Sequence, residues 1–275
     1  MLTMDSGAIP NDRAARRRAA CPHPAADATP RRVIRLKERS LAMLKQDLIL
    51  RNPLRLLGHE SDDIIGPGQF GAVLARAGVG KTALVIQIAL NTMLRSKNVL
   101  HISLNEPVGK VNLWYKEVLG RLAQQHEVPH MDQLWDTIVR HRFIMTFQVE
   151  GFSAPKLEER LTDLTSQGIF TPHMIIIDGQ PFEPEVHGVL DELKLLAQKL
   201  GLPIWFTITT HRHEAPAPDG LPVQLSPVQA LFDVAVALQP VANTIQVKAL
   251  KGCRLSEAQP PLVLDPATML IRGQE

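Results

Sequence analysis

The sequence predicts an α/β protein with a mostly parallel central sheet, helices on both faces and a C-terminal antiparallel hairpin. Short apolar runs that are typical of buried strands alternate with helical stretches along most of the chain, as in proteins whose sheet is covered by helices. The run at residues 174–177 is continuously apolar, which indicates a strand covered on both faces. Three further runs, at residues 234–238, 244–250 and 262–264, predict closing strands, the last two separated by a polar turn.

The elements of the main domain follow one another in a regular order. Apolar residues at helical spacing indicate the helices, and short apolar runs between turn-forming residues indicate the strands. Before the closing strands, the predicted elements are a strand at residues 70–74, a helix at 82–94, a strand at 99–104, a helix around 111–122, a strand at 143–149, a helix at 157–164, the strand at 174–177, a helix at 189–200 and a strand at 203–208.

Length and composition fit one main domain in a reducing compartment. The chain has 275 residues, of which 45% are hydrophobic and 21% charged, enough for one substantial core. A formal net charge of +2 makes no case for a dedicated nucleic-acid binder. Cys21 and Cys253 have no paired spacing, so neither a disulfide framework nor a zinc site is predicted. We find no secretory leader and no bilayer-spanning run, and we therefore expect a cytoplasmic protein.

We divide the chain into three segments. Residues 1–32 combine Ala, Pro, Asp and Arg with almost no large apolar side chains, which predicts a disordered basic leader. Residues 33–57 carry apolar side chains near helical spacing until Asn52-Pro53 interrupts them, so we expect an amphipathic helix. That helix could pack on its own core or on a neighbouring subunit. Residues 58–275 form the main domain.

A phosphate-loop pattern lies between the first predicted strand and the helix that follows it. Its residues, which fit the Walker A motif except for an alanine at the first position, are Ala75, Arg76, Ala77, Gly78, Val79, Gly80, Lys81 and Thr82. Backbone N–H groups of such a loop point at phosphates beside a helix N-terminus, where the helix dipole adds positive potential. Gly78 and Gly80 permit this close approach. We expect Lys81 to reach the β- and γ-phosphates of a nucleotide and Thr82 to bind Mg²⁺.

A carboxylate closes the buried strand at residues 174–177. Asp178 follows this strand directly, at the sheet edge where ligands of open α/β proteins bind. Downstream of a phosphate loop, this arrangement matches a Walker B motif. We therefore expect Asp178 to hold the Mg²⁺ shell.

Four segments make the chain resemble the RecA-like ATPase superfamily, in particular its RadA, KaiC, DnaB-type and RepA-like branch. They are Ala-Gly-Val-Gly-Lys-Thr at 77–82, Val-Leu-His-Ile-Ser-Leu-Asn-Glu-Pro at 99–107, Ile-Ile-Ile-Asp-Gly at 175–179 and Ile-Thr-Thr-His-Arg at 208–212, and the likeness covers roughly residues 58–270. The resemblance implies a RecA-like P-loop fold and Mg²⁺-dependent ATP hydrolysis. It also implies Glu106 as the catalytic base, because the acidic residue that closes the second strand polarises water in that superfamily. His211 would sense the γ-phosphate.

The resemblance weakens toward the C-terminus. Relatives that form rings often carry a Lys-x-Arg or Lys-Asn-Arg arrangement on a late hairpin, which reaches the nucleotide of a neighbouring subunit. This chain has Lys248, Lys251 and Arg254 at a different spacing. Two interpretations fit these residues. In one, the protein is a homo-oligomer in which Lys251 or Arg254 acts in trans. In the other, the hairpin is an ordinary solvated one.

Nucleic-acid binding is not supported by the residues that would carry it. The loop at residues 212–227 lies where helicases and recombinases contact DNA, but it has almost no basic or aromatic side chains, which single-strand binding requires. Trp114 and Tyr115 fall within a helical apolar pattern, so we expect them to pack in the core or at an interface. We therefore do not extend helicase activity from the RecA-like superfamily to this chain.

Three other classes of protein could carry this phosphate loop. A GTPase would need an Asn-Lys-x-Asp guanine reader, which is absent, so adenine is the expected base. A small-molecule or nucleotide kinase would place the Asp178 strand directly beside the phosphate-loop strand, whereas an inserted strand favours the RecA-like class. A nucleotide-switched regulator with little turnover, acting on an unknown protein partner, is the third alternative.

Overall fold

The computed structural model describes residues 42–57, 63–129, 131–183, 185–253 and 262–273. The predicted leader at residues 1–32 and the first part of the predicted amphipathic helix lie outside these ranges. All described residues belong to one compact unit, Leu41–Glu275.

Nine strands form a single mixed sheet within the described part of the chain. In chain order they are β1 (Phe70–Ala75), β2 (Val99–Ser103), β3 (Arg142–Thr146), β4 (Met174–Asp178), β5 (Ile204–Thr209), β6 (Val234–Val241), β7 (Thr244–Lys251), β8 (Leu262–Leu264) and β9 (Ile271–Gly273). Their order across the sheet is β3-β2-β4-β5-β1-β6-β7-β8-β9. Neighbours from β3 to β6 are parallel, and those from β6 to β9 are antiparallel. The predicted α/β class, mostly parallel sheet and C-terminal hairpin are confirmed.

Six α-helices of the described residues cover the sheet. They are α1 (residues 42–50), α2 (Lys81–Leu94), α3 (Val108–Gln125), α4 (Met131–Ile138), α5 (Ala154–Ser166) and α6 (Val186–Leu200). Buried apolar side chains of α1 to α4 form one cluster with one face of the sheet, and those of α5 and α6 form a second cluster with the other face. Because strand side chains alternate between the two faces and both faces are covered, the central strands are mostly apolar, as the continuous run at residues 174–177 predicts.

The parallel strands bring their carboxyl ends to one edge of the sheet. β5 lies between β1 and β4, with Ala75 opposite Thr209 and Ile177 opposite Phe206. On the other side of β4, Asp178 lies opposite Ser103 of β2. The loops that follow β1, β2, β4 and β5 therefore all leave the sheet at this edge.

The structure differs from the sequence prediction in a few elements. The sequence does not predict α4 or β9. The strand predicted at residues 143–149 ends at Thr146, because a 3-10 helix begins at Val149. The predicted N-terminal helix breaks after residue 50, where the Asn52 side chain accepts a hydrogen bond from the Leu54 N–H at 3.0 Å and starts a separate 3-10 helix. Among the helices that the structure describes, none is long and apolar enough to cross a bilayer.

Candidate functional site

The 75–82 loop connects β1 to α2 at the carboxyl edge of the sheet. Gly78 and Gly80 have φ angles of 76° and 109°, which lie in the left-handed region that favours glycine. A side chain at Gly80 would also stand 2.7 Å from Leu264 Cδ2, whereas one at Gly78 would meet no atom within 4 Å. Ala75 belongs to β1 and is paired with Thr209, so the first position of this loop is extended and does not require glycine. The loop thus keeps a backbone path that only its two glycines allow.

Lys81 is the first residue of α2, and its side chain folds back over the start of the loop. Its ammonium donates hydrogen bonds to the backbone carbonyl oxygens of Ala75 at 3.1 Å and Arg76 at 3.2 Å. Burial lowers the pKa of Lys81, and the Asp178 carboxylate acts in the opposite direction. An anion on the loop would add attraction for this cation, because the hydrogen-bond partners of Lys81 among the described residues are neutral carbonyls.

Asp178 is the acceptor at the centre of a small hydroxyl cluster. Its side chain lies at the end of β4 in a residue that is 9% exposed. The Thr82 hydroxyl donates to Oδ2 at 2.9 Å, and the Thr207 hydroxyl donates to Oδ1 at 2.5 Å. Thr207 also accepts a hydrogen bond from the Gly179 N–H at 3.1 Å. The structure therefore brings together Thr82 and Asp178, as the sequence predicts, and adds Thr207 of β5.

The donor set at this point fits a magnesium ion. Thr82 and Asp178 offer a hydroxyl and a carboxylate, the hard oxygen ligands that Mg²⁺ prefers, and Mg²⁺ is usually bound by one or two carboxylates together with water and substrate phosphates. Within the described ranges, no group of three His, Cys, Asp or Glu side chains gathers to hold a metal. Mg²⁺ bound here would take its remaining ligands from water and a bound phosphate.

Glu106 lies on the loop that joins β2 to α3. Its backbone N–H donates to Ser103 Oγ at 3.0 Å, and its carboxylate accepts a hydrogen bond from the Lys110 ammonium at 2.8 Å. Glu106, Lys81 and Thr82 line the same cavity, whose volume is about 460 Å³. The carboxylate is thus close to the 75–82 loop but is paired with a cation of its own helix.

The cavity beside the loop also has an apolar wall. Trp114 of α3 and Met269 of the β8–β9 turn both line it, and Arg121 holds that turn against α3 by donating to the Thr268 carbonyl oxygen at 3.0 Å. Tyr115 is fully buried, as expected for core packing, but Trp114 is a partly buried cavity residue. An aromatic surface next to a phosphate loop could contact a flat heterocycle.

The sequence also suggests roles for three residues away from the loop, His211, Lys251 and Arg254. His211 is exposed after β5 and lines two further cavities, one of which also contains Ala75 and Arg76, but it does not line the cavity that holds Lys81 and Glu106. The larger of these two cavities measures about 640 Å³. The Lys251 ammonium donates to the Gln229 carbonyl oxygen at 2.7 Å, so it is engaged within its own chain. Arg254 lies outside the described residues.

Behind Asp178, a buried histidine belongs to the site but was not predicted. His101 of β2 is 0% exposed, and its Nε2 lies 3.9 Å from Asp178 Oδ2. Burial lowers the pKa of His101 to about 4, with the Asp178 carboxylate acting in the opposite direction, so the ring is neutral near pH 7. Neither His101 nor Thr207 stands out in the sequence, because each is a single polar residue within an apolar strand.

Comparison of the chain with protein-family models and with curated protein sequences finds no match to either.

Proposed function

We propose that this protein binds ATP in the 75–82 loop and is a Mg²⁺-dependent, RecA-like ATPase. The observation that carries the proposal is the meeting of three groups at the carboxyl edge of the sheet. These are a glycine-dependent loop with Lys81 folded over it, the Thr82 hydroxyl, and the Asp178 carboxylate that accepts its hydrogen bond at 2.9 Å. Loops of this kind bind phosphates through backbone N–H groups at a helix N-terminus.

The strand order supports the RecA-like class over a kinase. β5 lies between β1, which leads into the loop, and β4, which ends in Asp178. A kinase of the alternative type would have these two strands side by side. The apolar wall of Trp114 and Met269 supports a site that accepts a base next to the phosphates.

Each residue has a distinct role in the proposed reaction. Lys81 exchanges its backbone carbonyl partners for the β- and γ-phosphate oxygens of ATP. Thr82 and Asp178 hold the magnesium ion, which when bound neutralises charge on the phosphates. Glu106 accepts a proton from the water whose oxygen attacks the γ-phosphorus, while the bond to the β–γ bridging oxygen breaks and ADP leaves.

The Lys110 contact favours a second candidate, a nucleotide-switched regulator with slow turnover. The Lys110 ammonium pairs with the Glu106 carboxylate at 2.8 Å, and this pair must open before the carboxylate can accept a proton from water. In both candidates the output is assembly or control of a partner. α1 supports this output because its Met43 and Leu50 are 68% and 64% exposed, which leaves apolar surface for a neighbouring chain.

Titration with a fluorescent ATP analogue tests the proposal. We expect saturable binding that requires Mg²⁺ and that unlabelled ATP reverses more effectively than GTP. Lys81→Ala should weaken binding by about tenfold or more, because hydrogen bonds from a charged group to phosphate are lost. Lys199→Ala is the matched control, since this lysine is exposed on α6 and pairs with Glu158. Equal affinities of the Lys81→Ala protein and the control would overturn the proposed site, and equal GTP affinity would overturn the adenine preference.

A further inference from the structure

A line of buried and half-buried polar side chains runs from the edge of the sheet to Asp178. It starts at Arg142 of β3, passes through Tyr115 of α3 and His101 of β2, and ends at the carboxylate of β4. These residues lie within an otherwise apolar layer between the sheet and α3. Buried polar groups without a partner are costly and therefore call for an explanation.

The contacts of His101 determine which of its nitrogens carries the proton. Its Nδ1 lies 3.0 Å from the Tyr115 hydroxyl. Its Nε2 has no hydrogen-bond partner among the described residues and faces Asp178 Oδ2 at 3.9 Å. A lone pair on Nε2 would repel the carboxylate, whereas an N–H dipole is attracted to it. The Tyr115 hydroxyl must then donate to Nδ1, which accepts.

Arg142 further favours the His101 tautomer that carries its proton on Nε2. Its guanidinium lies 4.6 Å from the centre of the Tyr115 ring and donates to Asn112 Oδ1 at 2.7 Å. A cation over the ring makes the tyrosine hydroxyl a better donor, because it withdraws electron density from the oxygen. The Tyr115 and His101 rings also pack in a T-shaped arrangement with centroids 5.6 Å apart, which limits rotation of the imidazole.

The distance between His101 Nε2 and Asp178 Oδ2 leaves room for a new hydrogen bond when the site binds a metal ion. At 3.9 Å the pair is beyond hydrogen-bond distance, which is about 2.7–3.2 Å for an N–H donor. Asp178 Oδ2 is at present satisfied by the Thr82 hydroxyl at 2.9 Å. If Thr82 turns its oxygen toward a cation, Oδ2 loses that donor. The Thr207 hydroxyl remains on Oδ1, and His101 Nε2 faces Oδ2 across 3.9 Å.

We propose that His101 is a positioning residue for Asp178, with its Nε2–H directed at the carboxylate and its tautomer set by the Tyr115 hydroxyl. His101 then moves toward Oδ2 and holds the carboxylate in place when Thr82 binds Mg²⁺. Only this last step rests on the proposed function. The arrangement of Tyr115, His101 and Asp178 belongs to the metal-free protein and can be tested separately.

Nitrogen-15 NMR of histidine-labelled protein, without nucleotide or metal, tests the arrangement. We expect one neutral imidazole whose proton is on Nε2, identified by its absence from the spectrum of the His101→Gln protein. Tyr115→Phe keeps the ring but removes the hydroxyl, so the Nδ1 resonance of His101 should shift as it loses its donor. A proton on Nδ1, or an Nδ1 resonance unaffected by Tyr115→Phe, would overturn the proposed tautomer.

Binding of Mn²⁺ in the presence of ADP, followed by electron paramagnetic resonance, tests the role toward metal. His101→Phe preserves bulk and should weaken Mn²⁺ binding by about tenfold, as expected for the loss of a group that orients a metal ligand. His101→Gln, whose amide can still donate, should recover part of the affinity. ADP binding without metal should not change.

Thr92→Val provides the control for a general packing defect. Thr92 is buried in α2 and its hydroxyl donates to the Ile88 carbonyl oxygen, so this variant disturbs the same apolar layer without reaching Asp178. Equal Mn²⁺ affinities of wild type and His101→Phe would overturn the positioning role, as would equal losses in His101→Phe and Thr92→Val. If wild type binds neither ADP nor Mn²⁺, the proposed function fails and the step toward metal fails with it, while the NMR result still decides the tautomer.

Discussion

At the scale of single residues, the 75–82 loop shows why a phosphate-loop pattern tolerates one substitution and not others. Ala75 is still part of β1, and an extended residue can carry a side chain. Gly78 and Gly80 have positive φ angles, where a side chain collides with its own backbone. The first glycine of the motif is therefore replaceable in this chain, whereas replacing either of the two later glycines costs stability.

Replacing Gly78 and replacing Gly80 should lower the free energy of unfolding by different amounts. Gly78→Ala adds backbone strain only and should lower the free energy of unfolding by about 1–2 kcal/mol. Gly80→Ala adds a contact of 2.7 Å with Leu264 and should lower it by about 3 kcal/mol. Urea unfolding followed by circular dichroism measures both. Gly109→Ala, in the first turn of α3 with no atom near its Cβ, should not destabilise the protein, and equal values for all three variants would show that the loop is not held in this conformation.

Local spacing predicts part of the site, and strand register determines the rest. Lys81 and Thr82 follow from the loop motif, and Asp178 follows from the end of an apolar strand. The hydrogen bond from Thr207 to Asp178, and the approach of His101 to the same carboxylate, depend on how β5 and β2 lie beside β4. A lone threonine or histidine within an apolar strand gives no signal of such a neighbour.

At the scale of elements, the β2–α3 connection decides how available Glu106 is as a base. α3 begins at Val108, so Lys110 falls in its first turn and pairs with Glu106 four residues earlier. Both side chains are partly exposed, and ion pairs of this kind contribute about 0–1 kcal/mol. The pair can therefore open at small cost and would slow a reaction that needs the free carboxylate by a factor of about five at most.

Two substitutions on this connection should have opposite effects on turnover. Glu106→Gln keeps the size of the side chain but removes the proton acceptor, so ATP hydrolysis should fall by roughly 10² or more while binding is retained. Lys110→Met removes the competing cation and should raise hydrolysis by up to about fivefold. Steady-state phosphate release measures both rates. An unchanged rate in Glu106→Gln would remove Glu106 as the base, and no hydrolysis by wild type would favour the regulator.

Element boundaries show where sequence patterns stop being informative. The helices and strands around the loop were predicted to within a few residues, because the helices are long enough to show a period and the strands are short apolar runs between turn-forming residues. α4 has eight residues and β9 has three, and such short segments contain too few apolar positions to show a period. Their form depends on contacts with distant parts of the chain.

At the scale of the whole molecule, the order of strands rather than their identity distinguishes the competing functions. The sequence predicts β1, β4 and β5 as separate strands, but it does not predict that β5 inserts between the other two. That insertion places the loop after β1, the Thr207 hydroxyl and the Asp178 carboxylate at one edge. Two large apolar clusters, one on each face, hold this edge in place.

The central claim is that the phosphates of ATP are held by the 75–82 loop, and hydrogen–deuterium exchange with and without Mg²⁺ and ATP tests it most directly. We predict slower exchange in a peptide that covers residues 76–83, because loop N–H groups become donors to phosphate oxygens, and no change in α5 on the other face. The protection should be absent in Lys81→Ala. Protection confined to residues 209–228, which border the larger second cavity, in protein that binds ATP would contradict the claim.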